Sequence, residues 1–308
     1  MQRLLFSDEL EPLKVVNVAS VPQRSPFRYP GGKTWFIPRL RDWLLSQTSK
    51  PEVLVEPFVG GGIVSLTAVF EDLVEKALMV ELDEEVAAVW QTIVNGEVEW
   101  LVKKILTFEM TKENAIAELG IKRGTLKEKA FQTIIKNRTF HGGILASGSG
   151  FLKNGESGKG ILSRWYPGTL AKRLRGINQV VGKLQFIQGN AFEVINQYKD
   201  FSDAVFFIDP PYTAGGKKAG RRLYTHYELD HEALFDLCKS IKGDFIMTYD
   251  NTNEVKELAR HHGLQAKPVS MRNTHHAAMT ELVIGKELNW MKGVDRVLEE
   301  KALYKSNK

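Results

Sequence analysis

The stretch Val53-Leu54-Val55-Glu56-Pro57-Phe58-Val59-Gly60-Gly61-Gly62 joins a β-branched strand to a glycine-rich turn, and an apolar run of helical character follows it. Glycines in such a turn accept positive φ angles and let the backbone come close to a ligand. The amide groups at the start of the next helix can meet a negatively charged ligand group. The stretch therefore predicts a nucleotide-type binding site at the carboxyl end of a sheet strand.

The next predicted strand, 77–80, ends in an acidic tip at Glu81-Leu82-Asp83. A carboxylate at the tip of the second strand is placed to accept hydrogen bonds from ribose hydroxyls. Because Asp83 directly precedes a predicted helix, we assign ribose binding to Glu81 and helix capping to Asp83. A dinucleotide fingerprint would need glycine at position 65, where Ser65 stands. The pattern thus disfavours a plain NAD site and indicates an adenosyl cofactor, without naming it.

Short apolar, β-branched runs alternate with stretches of helical period along much of the chain. The predicted strands are 53–55, 77–80, 184–188, 204–208, 244–248 and 281–284. The predicted helices are 34–46, 63–70, 84–95, 231–241 and 254–261. Strands that alternate with helices predict an α/β fold with a parallel-rich sheet.

The segment 98–181 interrupts this alternation. It begins with helical character, becomes rich in glycine from 141 to 168, and is too long for a simple loop of a compact domain. Between 120 and 185 the chain has 13 lysines and arginines but only Glu128 and Glu156, a charge of +11, so the rest of a chain that totals +5 carries −6. This concentration predicts a polyanion-binding face, with a merely solvated basic surface as the alternative.

We therefore expect four parts along the chain, one of which is made of two segments. They are an N-terminal arm at 1–26, a catalytic domain at 27–97 and 182–290, an inserted domain at 98–181, and a C-terminal tail at 291–308. Composition limits the setting: the one cysteine, Cys238, excludes an internal disulfide and a thiolate metal cluster. No apolar run is long enough to span a bilayer and no secretory signal is visible, so we expect a cytoplasmic protein away from membranes.

The run Val205-Phe206-Phe207-Ile208 leads into the turn Asp209-Pro210-Pro211-Tyr212. Two prolines fix two φ angles and remove two backbone donors, which leaves the Asp209 carboxylate and the Pro210 carbonyl as acceptors. Tyr212 adds a flat aromatic surface. Two acceptors beside a stacking ring suit an exocyclic amine on a heterocycle, and they predict Asp209, Pro210 and Tyr212 as catalytic residues. The alternative is a rigid turn that only ends a strand.

The ordered motifs resemble those of the Dam-like, D12-class adenine-N6 DNA methyltransferases over about residues 27–285. They are Arg28-Tyr29-Pro30-Gly31-Gly32-Lys33, Glu56-Pro57-Phe58-Val59-Gly60-Gly61-Gly62, Glu81 and Asp209-Pro210-Pro211-Tyr212. The resemblance implies a Rossmann-like methyltransferase sheet with an inserted, mostly helical DNA-recognition domain that carries a glycine-rich hairpin. It also implies S-adenosyl-L-methionine as the methyl donor, S-adenosyl-L-homocysteine as the product, no metal, and a double-stranded DNA substrate whose adenine flips out of the helix.

The resemblance and the motifs together assign cofactor contacts to Tyr29, Gly31, Lys33, Glu56, Pro57, Phe58, Gly60, Gly62, Glu81, Asn190, Phe192 and Asp209. Three positions depart from the family's usual residues. Tyr29 stands where another aromatic is common, Glu81 replaces an aspartate, and Asn190 replaces an aspartate that precedes Phe192. Asn190 is uncharged and could read the adenine edge of the cofactor through either amide atom.

For DNA contact we name Arg138, which could instead shape its domain, together with Arg164 and Arg272. Trp165 and Tyr166 suit either base stacking or a small core. The stretch Arg272-Asn273-Thr274-His275-His276 is a predicted loop, and its adjacent His275 and His276 lack the other ligands of a metal site.

Three alternatives remain open: methylation of an RNA base, methylation of a protein glutamine, and a DNA-binding module without activity. We expect a monomer, with a restriction endonuclease as a conceivable genetic partner.

Overall fold

The computed structural model describes residues 21–28, 31–122, 124–155, 158–211, 228–272 and 278–292. Its strands are β1 Val53–Glu56, β2 Lys76–Glu81, β3 Leu184–Gln188, β4 Ala204–Ile208, β5 Asp244–Asp250, β6 Gln265–Arg272 and β7 Ala278–Gly285. They form one seven-stranded sheet in the order β3-β2-β1-β4-β5-β7-β6. The pairs from β3 through β5 are parallel, whereas β7 runs antiparallel to both β5 and β6. The predicted α/β fold with a parallel-rich sheet is confirmed.

The helices surround this sheet and mostly begin at capping residues. They are α1 Ile37–Leu45, α2 Ile63–Phe70, α3 Glu84–Val94, α4 Val98–Thr107, α5 Lys112–Gly120, α6 Leu126–Thr139, α7 Pro167–Gln179, α8 Ala191–Tyr198, α9 His231–Lys239 and α10 Asn253–His261. Short 3₁₀ helices occupy Lys33–Phe36, His141–Gly143, Gly160–Arg164, Val181–Lys183 and Asn289–Lys292. At α3, α8 and α9 the side chains of Asp83, Asn190 and Asp230 accept backbone N–H bonds, which satisfies amides that the first turn leaves unpaired.

The central strands are buried on both faces, and alternate residues enter two separate apolar clusters. In β4, Val205 and Phe207 join the cluster on one face, whereas Phe206 and Ile208 join the cluster on the other. Side chains of α1 to α7 contribute to the first cluster and those of α8 to α10 to the second. This two-faced burial explains the continuous apolar runs of the strands, which are typical of a parallel sheet between helical layers.

The segment 98–181 packs onto the sheet rather than around a core of its own. Leu101 of α4, Phe131 of α6 and Leu174 of α7 belong to the same apolar cluster as Leu54 of β1. Within the described residues, this segment therefore shares the core of the first helical layer. The predicted domain boundaries at 98 and 181 stay a prediction, because no separate core among the described residues marks them.

The fold corrects one prediction from the sequence and adds two elements that the sequence did not predict. Arg272 was expected in a loop, but it is the last residue of β6, a strand that we did not predict. The β6 sequence is polar and contains Pro268, a residue that sheets accept at their edges, and β6 is the edge strand beside β7. Helix α8 was also not predicted. Of the predicted arm and tail, residues 1–20 and 293–308 lie outside the described residues.

Candidate active site

A cavity of about 250 Å³ opens where the carboxyl ends of β1, β2 and β4 meet. Of the predicted cofactor-binding residues, those that line it are Gly31, Lys33, Glu56, Pro57, Phe58, Gly60, Gly62, Glu81, Asn190, Phe192 and Asp209. Tyr29 lies outside the described residues. The structure therefore brings together residues that are up to 178 positions apart between Gly31 and Asp209, as the carboxyl edge of a parallel sheet predicts.

The glycine turn after β1 fits tightly against the aromatic ring of Trp90. Gly60 and Gly62 have φ angles of 45° and 64°, which L side chains rarely adopt. A Cβ atom on Gly62 would lie 2.7 Å from the Trp90 ring. The Trp90 Nε1–H donates to the Gly60 carbonyl oxygen at 2.9 Å, so the indole holds the turn in place. Trp90 is a supporting residue that the sequence motifs did not reveal.

Glu81 closes this turn from the second strand. Its carboxylate accepts from the backbone N–H of Gly60 at 3.0 Å, of Leu82 at 2.9 Å and of Asp83 at 3.0 Å. Burial nevertheless raises the pKa of Glu81 to about 7. Asp83 accepts from the N–H groups of Glu85 and Val86 and caps α3, so its predicted role is confirmed. A ribose contact by Glu81 remains a prediction.

Glu56, at the end of β1, is buried, with 4% of its surface exposed. Its Oε2 accepts from the Ser65 backbone N–H at 2.9 Å and from the Ser65 hydroxyl. Burial, with a smaller effect from the nearby Asp209 carboxylate, raises the pKa of Glu56 to about 8. At neutral pH the carboxyl group is therefore largely protonated. Ser65, which the sequence showed only as a departure from a dinucleotide fingerprint, is its hydrogen-bond partner.

Asp209 is held from two sides at the end of β4. Its Oδ2 lies 2.9 Å from Lys33 Nζ, and its Oδ1 accepts from the Thr248 hydroxyl at 2.7 Å. Lys33 Nζ also donates to the Gly31 carbonyl oxygen at 2.9 Å and lies 3.5 Å from Glu281 Oε2. The sequence motifs did not indicate Thr248 and Glu281, because β5 and β7 bring them next to Asp209 and Lys33 from distant parts of the chain.

The remaining predicted catalytic residues are only partly described. Pro210 is buried, and its neighbour Pro211 lines the cavity. Tyr212 lies outside the described residues. A carbonyl contact from Pro210 and a stacking contact from Tyr212 therefore remain predictions.

The arginines that we named for DNA contact have different fates. Arg138 is only 5% exposed, and its Nη2–H donates to the Pro26 carbonyl oxygen. Burial lowers the pKa of Arg138 to about 9, with smaller effects from Arg173 and Arg28. A phosphate contact is thus corrected to a structural role, because the guanidinium is enclosed by protein. Arg164 is half-buried, and the side chain of Arg272 is not among those that the structure describes.

The sequence left two roles open for Trp165 and Tyr166, base stacking or core packing, and the two residues differ in burial. Trp165 is buried and its ring packs edge-on against Phe108 at 6.1 Å between centroids. Tyr166, by contrast, is 55% exposed at the start of α7. Only Tyr166 is therefore available for contact with a partner.

Many basic residues of the +11 segment are paired with acids of the preceding elements. The ion pairs are Lys127–Glu97, Lys129–Glu84, Lys136–Glu85, Arg175–Glu99 and Lys183–Asp72. Lys122, Lys153, Lys159 and Lys172 are exposed. The charge count therefore overstates the basic surface, since part of it is balanced by acids next to α6 and α7.

Among the described residues, no group of three or more His, Cys, Asp or Glu side chains could hold a metal ion. His275 and His276 lie outside the described residues. No described helix is both long and apolar enough to cross a membrane.

The fold is that of an α/β protein with a cavity at the carboxyl edge of its parallel strands, where α/β sheets commonly bind ligands. Residues 29–273 match the D12 class N6 adenine-specific DNA methyltransferase family, and the chain belongs to this family. The protein is thus an adenine-specific DNA methyltransferase, and its family implies the use of S-adenosyl-L-methionine. The resemblance that we drew from the motifs is confirmed.

Individual relatives are distant. The type II methyltransferase M.MjaIII of Methanocaldococcus jannaschii is 22% identical over 232 residues, which cover 70% of this chain and 78% of the relative. A proposed RNA methyltransferase from Pyrococcus horikoshii aligns with a TM-score of 0.38 at 10% identity over 90% of this chain and 91% of its own. A precorrin-6y C5,15-methyltransferase from Geobacter metallireducens aligns with a TM-score of 0.34 at 9% identity, over 83% of this chain and 92% of its own.

Proposed function

We propose that the protein transfers a methyl group from S-adenosyl-L-methionine to N6 of an adenine that is flipped out of double-stranded DNA. The Asp209 carboxylate and the Pro210 carbonyl would accept hydrogen bonds from the amine. The observation that carries the proposal is the position of Asp209, which lines the cavity beside the glycine turn and is held by Lys33 and Thr248.

The lining of the cavity fits the cofactor that the family implies. Glycine backbone at 60–62 allows close approach, Phe58 and Phe192 offer apolar surfaces for an adenine ring, and Glu81 supplies a carboxylate for a ribose. Asn190 is engaged as the cap of α8 through its Oδ1, which leaves its amide N–H groups to face a ring acceptor. When bound, the cofactor would supply an electrophilic methyl group on a positively charged sulfur.

The chain's own task is to prepare the amine. The lone pair on N6 is delocalised into the adenine ring, so the amine is a weak nucleophile. Acceptors on its two hydrogens favour a tetrahedral nitrogen whose lone pair is free to form the new N–C bond. Because Asp209 is already oriented by two partners, little reorganisation is needed when the amine arrives. Positioning of both reactants supplies much of the rate, with effects of about 7–11 kcal/mol in favourable cases.

Adenine N6 is reached by flipping the nucleotide out of the duplex, at a cost of a few kcal/mol. We assign the stacking surface for the flipped base to Tyr212, and DNA recognition to residues 98–181. Within that segment an antiparallel bridge between Phe140 and Phe151 closes the glycine-rich stretch between them. The His141 N–H donates to the Gly150 carbonyl oxygen at 2.9 Å. We propose this closed stretch as the glycine-rich hairpin that reads DNA.

Exposed side chains around the hairpin complete the proposed DNA surface. Tyr166 could stack or wedge against bases, and the exposed Lys153 and Lys159, with the half-buried Arg164, could meet phosphates. We further propose that the protein acts as a monomer and that a restriction endonuclease is its genetic partner.

The variant Tyr212→Ala tests the assignment of the flipped base. Turnover on DNA should fall and the apparent Km for DNA should rise, because the extruded base loses its stacking surface. The affinity for the cofactor, measured by calorimetry, should stay the same. Methylation at the wild-type rate would remove Tyr212 from the mechanism.

A further inference from the structure

The side chain of Asn137, in the last turn of α6, joins two segments that are far apart in the sequence. Its Oδ1 accepts from the Arg28 backbone N–H at 2.8 Å, and its Nδ2 donates to the Arg28 carbonyl oxygen at 3.0 Å. Nδ2 also donates to the Gly143 carbonyl oxygen at 2.9 Å. Asn137 is 0% exposed, and these bonds use both amide hydrogens and the carbonyl oxygen of its side chain. We call Asn137, Arg28 and Gly143 the junction.

Helix packing alone does not explain an asparagine at this position. Asparagine is less favourable than most residues within a helix, and a buried amide is costly unless it is hydrogen-bonded. The buried hydroxyls of Thr133 and Thr139 donate to carbonyl oxygens one turn earlier in α6. Asn137 instead bonds to backbone groups outside its helix, so its amide is matched to Arg28 and Gly143.

Both segments of the junction lead to the cavity. Arg28 is three positions before Gly31, which lines the cavity, and Gly143 lines the cavity directly. Gly143 also belongs to the stretch between Phe140 and Phe151 that we proposed as the DNA-reading hairpin. The junction therefore connects the segment that enters the proposed cofactor site with the base of the proposed DNA hairpin.

The backbones of the two segments approach each other closely. Gly143 has a φ angle of 74°, and a Cβ atom at this position would overlap the Arg28 carbonyl oxygen. At the other end of the same segment, the Ser25 hydroxyl donates to the carbonyl oxygen of Gly61 in the glycine turn. Residues 25–28 are therefore held between the glycine turn and the base of the hairpin.

We propose that Asn137 is a positioning residue that couples the binding of DNA to the binding of the cofactor. The inference rests on the proposed function, because it takes the cavity as the cofactor site and the hairpin as the DNA contact. A ligand that orders one side of the junction lowers the cost of ordering the other side. Each ligand then strengthens the binding of the other by the same factor, which favours the complex that contains both.

The coupling is measured by titrating S-adenosyl-L-homocysteine in a calorimeter, first into the protein alone and then into the protein saturated with a DNA duplex that it methylates. This ligand has no methyl group to transfer, so no turnover occurs. In the wild type, we expect DNA to lower the dissociation constant about fivefold or more, as is usual for coupled sites. In Asn137→Ala, DNA should change the constant less than about twofold. A wild type without coupling, or a variant with the wild-type factor, would overturn the inference.

Thr133→Ala is the matched control, since Thr133 is a buried polar residue one turn earlier in α6 and its hydroxyl bonds within the helix. The control should keep the wild-type coupling factor, because the junction is intact, even if its stability falls. If the control lost the coupling as fully as Asn137→Ala, general loosening of α6 would explain the result and the inference would be wrong.

Gly143→Ala serves if Asn137→Ala does not fold. It disrupts the junction from the hairpin side, because the added Cβ atom displaces the Arg28 carbonyl. The coupling factor should fall as expected for Asn137→Ala, and an unchanged factor would refute the role of the junction.

The outcomes also distinguish the inference from the proposed function. If the wild-type protein binds no S-adenosyl-L-homocysteine or methylates no DNA, the proposed function is wrong. If the wild type methylates DNA and binds this ligand equally well with and without DNA, the proposed function stands and the role of Asn137 is refuted.

Discussion

The cavity edge of the sheet and the helical segment 98–181 both carry many charged residues, but they use them in opposite ways. At the cavity edge, Asp209, Lys33 and Glu281 are buried around one another beside a ligand site. In the helical segment, basic side chains such as Lys129 and Arg175 form ion pairs with acidic residues of α3 and α4. A short motif therefore located the chemistry, whereas a charge count could not show which surface cations are paired with neighbouring acids.

The largest expected effect comes from Asp209→Asn, which keeps the shape of the side chain at the cavity edge. It removes a charged acceptor from the amine and leaves the Lys33 and Glu281 pair. Loss of one preorganised electrostatic contact typically costs a factor of about 10²–10³ in turnover. Steady-state methylation with labelled cofactor measures the effect.

The matched control is Asp200→Asn, since Asp200 is an exposed aspartate paired with Lys242. This control should retain wild-type turnover. If Asp209→Asn also kept wild-type turnover, Asp209 would not be a catalytic residue.

Part of the cavity edge around Asp209 could be predicted from the sequence. The strands β1, β2, β4 and β5 and the cavity lining were predictable, because buried parallel strands are apolar runs whose carboxyl ends meet at one edge. Glu281 and Thr248 were not predictable, since antiparallel β7 and the end of β5 reach Asp209 only through the sheet order. No spacing in the sequence encodes that order.

In the helical segment, the sequence predicted helical character but not its packing. Arg138 looked like a surface cation within a basic stretch, yet its helix turns it inward to the Pro26 carbonyl. The strand β6 escaped prediction because its edge position tolerates polar residues and Pro268. Both errors arise where tertiary contacts, rather than local pattern, decide the environment.

Glu56 gives the second test of the cavity edge, through the dependence of stability on pH. Its pKa is raised from 4.5 to about 8 in the folded protein, so between these values the folded state binds more protons than the unfolded state. Stability should therefore fall as pH rises from about 4.5 to about 8. Glu56→Gln removes this loss and can still accept from Ser65, so the variant should be more stable than the wild type at pH 9 by about 5 kcal/mol, at about 1.4 kcal/mol for each pH unit between the two pKa values.

Urea denaturation of both proteins at pH 5 and pH 9 measures this difference. The two proteins should be close in stability at pH 5 and separate at pH 9. A constant difference between them at both pH values would show that Glu56 does not carry an elevated pKa.

Arg138→Ala tests the corrected role of this residue in the helical segment. The variant loses the hydrogen bond to Pro26 and leaves a small void, so the free energy of unfolding should fall by about 2 kcal/mol. The salt dependence of DNA binding should not change, since the guanidinium does not reach phosphate. A smaller salt dependence with unchanged stability would restore the original prediction of DNA contact.

The smallest effect separates exposed from paired lysines. Lys159→Gln should weaken DNA binding a few-fold and reduce the slope of log affinity against log salt by about 0.9, as expected for one phosphate contact. Lys129→Gln makes the same charge change, but Lys129 is paired with Glu84, so both quantities should stay near wild type. Identical losses in the two variants would mean that overall charge, rather than position, governs DNA binding.

One measurement shows whether this cavity edge methylates adenine N6 in DNA. The purified protein is incubated with S-adenosyl-L-methionine and unmethylated plasmid DNA, and the product is sequenced by a method that reports modified bases. We expect N6-methyladenine confined to a defined sequence context. DNA without methylation, or with N4-methylcytosine in place of N6-methyladenine, would contradict it.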